Sequence, residues 1–170
     1  MNHPNLKENS DTMMTEKRGD SYGQHRRIAI VVADFNEFIT GQLLQGALTA
    51  LKDNQVSETN IAIIRVPGSF EIPLAAKFLA RSGNHDGIIC LGAVIKGETA
   101  HFEHVAFQAA SGVAAVSLQS EIPIGFGVLT TFNTQQAIDR VDGTKEDTGY
   151  STAVTVLKMI NLIDAIRSDG

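Results

Sequence analysis

The stretch GIICLGAVIKGETAHFEH, residues 87–104, sets the reading of the whole chain. Its first part, Gly87-Ile88-Ile89-Cys90-Leu91, is apolar without alternation, as a strand buried on both faces must be. Beyond Gly92 the chain presents Lys96, Gly97, two glutamates (Glu98, Glu103) and two histidines (His101, His104) where a helix begins. A buried strand that opens through glycine into a helix start is a unit of parallel α/β sheets. The free N–H groups of such a helix start suit an anion.

The same alternation recurs outward from this stretch. β-Branched runs lie at 27–33 (RIAIVVA), 61–66 (IAIIRV), 87–92 and 122–130 (IPIGFGVLT). Between them Phe38, Leu43, Leu44, Ala47, Leu48 and Leu51 follow helical spacing, as do 71–82 and 100–118, and helices at 133–142 and 148–167 close the chain. Pro73 falls in a first helical turn, where it is tolerated. The pattern predicts an α/β fold with a four-stranded parallel sheet covered on both faces, a three-layer doubly wound sandwich. Residues 1–25 are polar and aperiodic and are read as a flexible N-terminal tail, leaving 26–170 as one domain.

Composition narrows the function classes. With 43% hydrophobic residues in 170, the chain can bury a substantial core. A net charge of −5, with no basic cluster longer than Arg26-Arg27, argues against a nucleic-acid partner. No window approaches the roughly 20 apolar residues that cross a bilayer, so no membrane partner is expected. The N-terminus lacks an apolar signal core, and the single cysteine, Cys90, reads as an inert core residue; a cytoplasmic location is expected. The last helix carries Ala153, Val154, Val156, Leu157, Met159, Ile160, Leu162, Ile163, Ala165 and Ile166, leaving little of its circumference polar. One side can reach the core; the other demands cover, most simply from another copy, and VAFQAASGVAAVSL (105–118) demands the same.

Each predicted strand ends in unusual residues: Asp34-Phe35-Asn36, with Asn36 placed to cap a helix; PGSFEIP (67–73); the 92–104 stretch; and LTTFNTQQAIDR (129–140). Singly, caps and solvated charges explain them. Their convergence on one sheet edge points to a site. Gly97-Glu98-Thr99 can turn N–H groups towards an anion and Arg140 can add a fork, without a Walker loop. Phe35 offers a stacking surface, Ser69 and Glu71 suit a polyol or ring amine, and His101 can exchange protons near neutral pH. Glu98, His101 and His104 share a helix face, but His3, His25 and His85 lie elsewhere and supply no further ligands, so no metal is expected.

In this order and spacing FNEFI (35–39), VPGSFEIPLAAK (66–77), GAVIKGETAHFEHV (92–105), IPIGFGVLTT (122–131) and QQAIDR (135–140) closely resemble the lumazine synthase family of riboflavin biosynthesis, over about residues 27–166. The resemblance implies a flavodoxin-like sandwich. It implies a transferase that joins 5-amino-6-(D-ribitylamino)uracil to 3,4-dihydroxy-2-butanone 4-phosphate, with no metal or organic cofactor. Phe35 would stack on the pyrimidine and Asn36 hold its edge. Ser69, Phe70 and Glu71 would bind the ribityl chain, and the backbone of Val94 and Ile95 the ring carbonyls. Lys96 stands in the same substrate-binding loop; Gly97, Glu98, Thr99 and Arg140 would take the phosphate, and His101 would carry protons. Phe126 would come from a neighbouring subunit of a homo-oligomer, a pentamer, with further closure into a sixty-subunit icosahedral shell left open.

The chain departs from the family pattern at Asp34, where arginine is common, and at Lys96, where the family often has arginine, so that a fork becomes a point charge. Near VDGTKEDTG (141–149) a substrate-reaching lysine is usual, but Thr148 stands at its place and Lys145 is displaced by several positions. A non-catalytic flavin- or lumazine-binding module would have no use for His101 and Arg140 together, and a purely structural shell protein would tolerate loss of the pocket.

Overall fold

The computed structural model describes residues 15–143 and 146–168. Strands β1 (Ile28–Ala33), β2 (Ile61–Val66), β3 (Gly87–Ile95) and β4 (Ile124–Thr131) form one sheet in the order β2-β1-β3-β4, and every pairing is parallel. The helices are α1 (Glu37–Asp53), α2 (Ile72–Ser82), α3 (His101–Ser120), α4 (Thr134–Ile138) and α5 (Thr148–Arg167).

All six residues of β1 are buried, so its unalternating apolar run has a use on each face. Ile28, Ile30 and Val32 join Ile89 and Leu91 in a core with α1 and α5, whereas Ala29 and Val31 join Ile88 and Cys90 in a core with α2 and α3. Burying one such side chain stabilises the fold by roughly 1.5–3 kcal/mol. Leu43, wholly buried between α1 and the sheet, is therefore a position where truncation to alanine would cost roughly 2–5 kcal/mol. Helices α1 and α5 cross closely because Gly149 has no side chain: a Cβ there would meet the Leu43 carbonyl oxygen at 2.0 Å.

Two elements differ from the sequence reading. β3 continues to Ile95 rather than ending at 92, because β4 pairs with it from Gly92↔Val128 through Ile95↔Thr131. α4 stops at Ile138 rather than 142. Beyond it Arg140 N–H donates to Ala137 O and Val141 N–H to Ile138 O, tighter turns than an α-helix allows, and Thr148 N–H takes the Arg140 carbonyl.

The surplus apolar surface is present. On α3 only Ala109, Val113 and Val116 are buried, while Phe107 and Leu118 are exposed; α5 exposes Met159 and Ile166. The sequence did not single out α2 as uncovered, yet Leu74 and Phe78 are exposed on it as well. Of the 1–25 segment expected to be a flexible tail, residues 15–25 are described, and they lie against α5. The Asn161 amide donates to Asp20 O and Tyr22 O, and Lys17 Nζ to Ala165 O. Among the described residues no helix is long and apolar enough to cross a membrane.

Candidate active site

In the order β2-β1-β3-β4 the connections diverge between β1 and β3, and a crevice opens beyond the carboxyl ends of those strands. There a hollow of about 440 Å3 is lined by Phe35, Gly68, Ser69, Phe70, Glu71, Ala93, Val94, Ile95, Gly97, Thr99, His101, Phe102 and Val105.

The β1 loop is shaped by its backbone. Asp34 N–H donates to Val66 O (2.8 Å) and Phe35 N–H to Pro67 O (3.0 Å), carrying the β1–β2 pairing past the strand end. Asn36 then takes the left-handed conformation (φ 61°, ψ 44°), which asparagine tolerates better than most residues, and α1 starts at Glu37. The side chain of Asn36 does not cap α1 as expected. Its Nδ2 instead donates to Ala93 O at 2.8 Å, pinning the β1 loop to β3. Phe35 is left 70% exposed, its ring free to be covered by a flat ligand.

The other walls follow from β2 and β3. Pro67-Gly68 leads into a 3-10 turn, Ser69–Glu71, ahead of α2, and Ser69 is buried. Gly92 makes room for it: a Cβ there would lie 2.5 Å from Ser69 Oγ. After β3, Lys96 N–H still donates to Thr131 O (2.9 Å). Among the described residues no backbone acceptor takes the N–H groups of Gly97, Glu98 or Thr99, so the loop before α3 can offer them to an anion. His101 opens α3, and Phe102 and Val105, three residues apart on one helix face, close the wall.

The structure thus gathers Phe35, Ser69, Phe70, Glu71, Val94, Ile95, Gly97, Thr99 and His101 around one space. Asn36, Lys96, Glu98, Phe126 and Arg140 do not line it. Asn36 lies behind the wall, on Ala93. Phe126, partly exposed on β4, pairs in register with Cys90, well back from the strand end. Arg140 does not join Gly97–Thr99 within one chain. It lines a second hollow, also of about 440 Å3, with Thr130, Thr131, Phe132, Gln136, Asp139 and Glu146. Its Nη1 meets Glu146 Oε2 at 2.9 Å. Lys145 lies outside the described residues.

Sequence reading missed Gly68, Ala93, Phe102 and Val105. The pair on α3 was accessible from helical spacing alone. Asp34 has a local partner, Arg65 on β2, at 3.0 Å, so its charge is answered beside the crevice. Burial pushes the Cys90 thiol up to about 12, leaving it protonated and unreactive. Among the described residues no three His, Cys, Asp or Glu side chains are grouped to hold a metal, so Glu98, His101 and His104 do not form a ligand set.

A doubly wound sheet with an exposed ring, a carboxylate, open N–H groups and an imidazole around a hollow at its switch point defines the class of α/β proteins whose small-molecule sites lie beyond the carboxyl ends of the strands. Comparison with known proteins is more specific. Residues 25–164 match the family described as 6,7-dimethyl-8-ribityllumazine synthase, and the chain belongs to that family. Proteins of that name from Yersinia pestis (strain Pestoides F) and Yersinia pseudotuberculosis serotype O:1b (strain IP 31758) are each 49% identical to it over 142 residues, 83% of this chain and 91% of theirs.

Proposed function

We infer that this chain condenses 5-amino-6-(D-ribitylamino)uracil with 3,4-dihydroxy-2-butanone 4-phosphate to give 6,7-dimethyl-8-ribityllumazine, phosphate and water, a transferase step of riboflavin biosynthesis carried out in the cytoplasm. The observation that carries the reading is the shared hollow of Phe35, Glu71 and His101 in a chain that matches the family along nearly all of its folded length.

The substrate amine attacks the ketone and loses water to form an imine; phosphate then leaves and the ring closes with a second dehydration. An amine and a ketone held together already react readily, so positioning supplies most of the acceleration. Phe35 stacks on the pyrimidine, and Val94 and Ile95 present backbone groups to its carbonyls. Ser69, Phe70 and Glu71 hold the ribityl chain. The N–H groups of Gly97 and Thr99, with Glu98 beside them, receive the phosphate, and His101 carries protons between amine, carbinol and leaving group. No strong nucleophile is needed.

Arg140 and Phe126 join this site from a neighbouring copy, since within one chain they lie off its wall. The uncovered apolar residues of α2, α3 and α5 support such an assembly, with a pentamer as the unit. Incubating the purified protein with both substrates and following lumazine absorbance tests the reading. Product formed no faster than in the spontaneous reaction would overturn it.

A further inference from the structure

Between the two hollows stands a group of three side chains from separate elements. Lys96 follows β3, Phe102 lies in the first turn of α3, and Phe132 follows β4. The Lys96 ammonium sits 5.9 Å from the Phe102 ring centroid and 5.7 Å from that of Phe132. The rings meet edge to face, 6.5 Å apart at 66°. Phe102 belongs to the wall of the hollow with His101, and Phe132 to the wall of the hollow with Arg140. The backbone bond from Lys96 N–H to Thr131 O fixes the base of the arrangement.

Lys96 differs from the arginines around it. Arg65 meets Asp34 and Arg140 meets Glu146, whereas among the described residues no carboxylate pairs with Lys96. A carboxylate partner would neutralise the ammonium and compete with an incoming anion. Ring faces attract a cation through their quadrupole yet leave its charge and its N–H donors available. They also restrict a long, flexible side chain that would otherwise lose rotamer freedom on binding. Phe132, 68% exposed, has no place in the core to account for it.

We propose that Phe132 and Phe102 form an aromatic sleeve that holds the Lys96 ammonium on the ridge between the hollows, ready for the phosphate of the four-carbon substrate, with Phe132 a positioning residue acting through Lys96. The proposal rests on the function inferred above for the anion and goes beyond it in assigning Phe132.

The test is a double-mutant cycle on the intact protein: Phe132→Leu, Lys96→Met, both together, and Phe132→Tyr as the conservative change. Its readouts are KM for each substrate and direct titration with inorganic phosphate. Phe132→Leu is expected to raise KM for the phosphorylated substrate, and to weaken inorganic phosphate binding, by about 3–5-fold. KM for the pyrimidine should hold, and Phe132→Tyr should stay near wild type. In the Lys96→Met background the Phe132→Leu change should add nothing. An equal penalty in both backgrounds would sink the sleeve, as would a rise confined to the pyrimidine. Wild-type protein inactive towards the substrate pair would overturn the functional reading alone. Phosphate titration of wild type, Phe132→Leu, Lys96→Met and the double variant would then still decide the sleeve, non-additivity supporting it and additivity rejecting it.

Discussion

At the amino ends of the strands, Arg26, Arg27, His85, Asp86, Glu121, Asp164 and Arg167 border a hollow of about 310 Å3, while the carboxyl ends of the same strands border the hollow of Phe35, Glu71 and His101. In the first, each arginine has an acid: Arg27 meets Asp86 at 2.9 Å, Arg26 meets Asp164 at 2.7 Å and Arg167 meets Glu121 at 3.5 Å. In the second, Glu71 stands in the wall, but among the described residues no ion pair joins an acid to the His101 imidazole or to the neighbouring Lys96 ammonium, and no backbone acceptor takes the Gly97–Thr99 N–H groups. One sheet thus spends its polar groups on itself at one end and keeps them for a ligand at the other. Charge alone does not mark a site; charge left without a partner beside a space does.

The largest test of this contrast is at the carboxyl end. His101→Ala should lower kcat by about 10–100-fold, positioning being left intact. A loss of several further orders of magnitude would show that proton transfer, and not alignment, dominates. Next, Arg140→Ala should raise KM for the phosphorylated substrate by about 10-fold while light scattering finds the assembly unchanged. An unaltered KM would separate the second hollow from the reaction.

The amino end should respond in stability and not in turnover. Asp86 accepts both the Arg27 N–H (2.8 Å) and its guanidinium, so Asp86→Asn should lower the melting temperature by about 2–5 °C with kcat/KM unchanged. Burial would raise the Asp86 carboxyl, but the hydrogen bonds and charge of Arg27 outweigh it and hold it below its usual range. Its contribution is therefore complete above the unfolded carboxyl value of about 3.9 and is lost as pH falls through the lower folded value. Burial, and then Arg27, push His85 down, so below about 6.5 the unfolded chain binds this proton more readily and stability begins to fall earlier. Melting temperature measured against pH should decline in both ranges, and Asp86→Asn should flatten the more acidic one while steepening the other, because the Asp86 charge holds His85 up against burial and Arg27. The smallest effect is expected at Glu146→Gln, which frees Arg140 from an exposed ion pair. Inorganic phosphate should then bind about 2–3-fold more tightly, and weaker binding would mean that Glu146 orients Arg140 instead of occupying it.

β1 and β3 were readable because their residues declare burial on both faces; IAIIRV also became β2 over Ile61–Val66, although at the sheet edge only its Val66 is buried, and the last helix ran from Thr148 to Arg167 as its spacing demanded. Gly92 misled, since glycine suggested the turn where it in fact admits Ser69 against a continuing strand. Phe35, Glu71 and His101 were found through their places at strand ends. Phe132 was passed over because its meaning lies in Lys96, 36 positions earlier in the chain, and in a ring from a third element.

Periodicity and residue type are local, and a one-dimensional chain carries them in full. They were enough for the elements, the parallel sheet, the buried cysteine and the identity of most groups at the crevice. Which loops share a space depends on strand order and on contacts between residues far apart in the chain. The Asn36 amide on Ala93, Arg65 answering Asp34, and Arg140 standing outside the main hollow are all of that kind. Each is set by through-space distances of a few ångströms, and spacing along the sequence does not encode them.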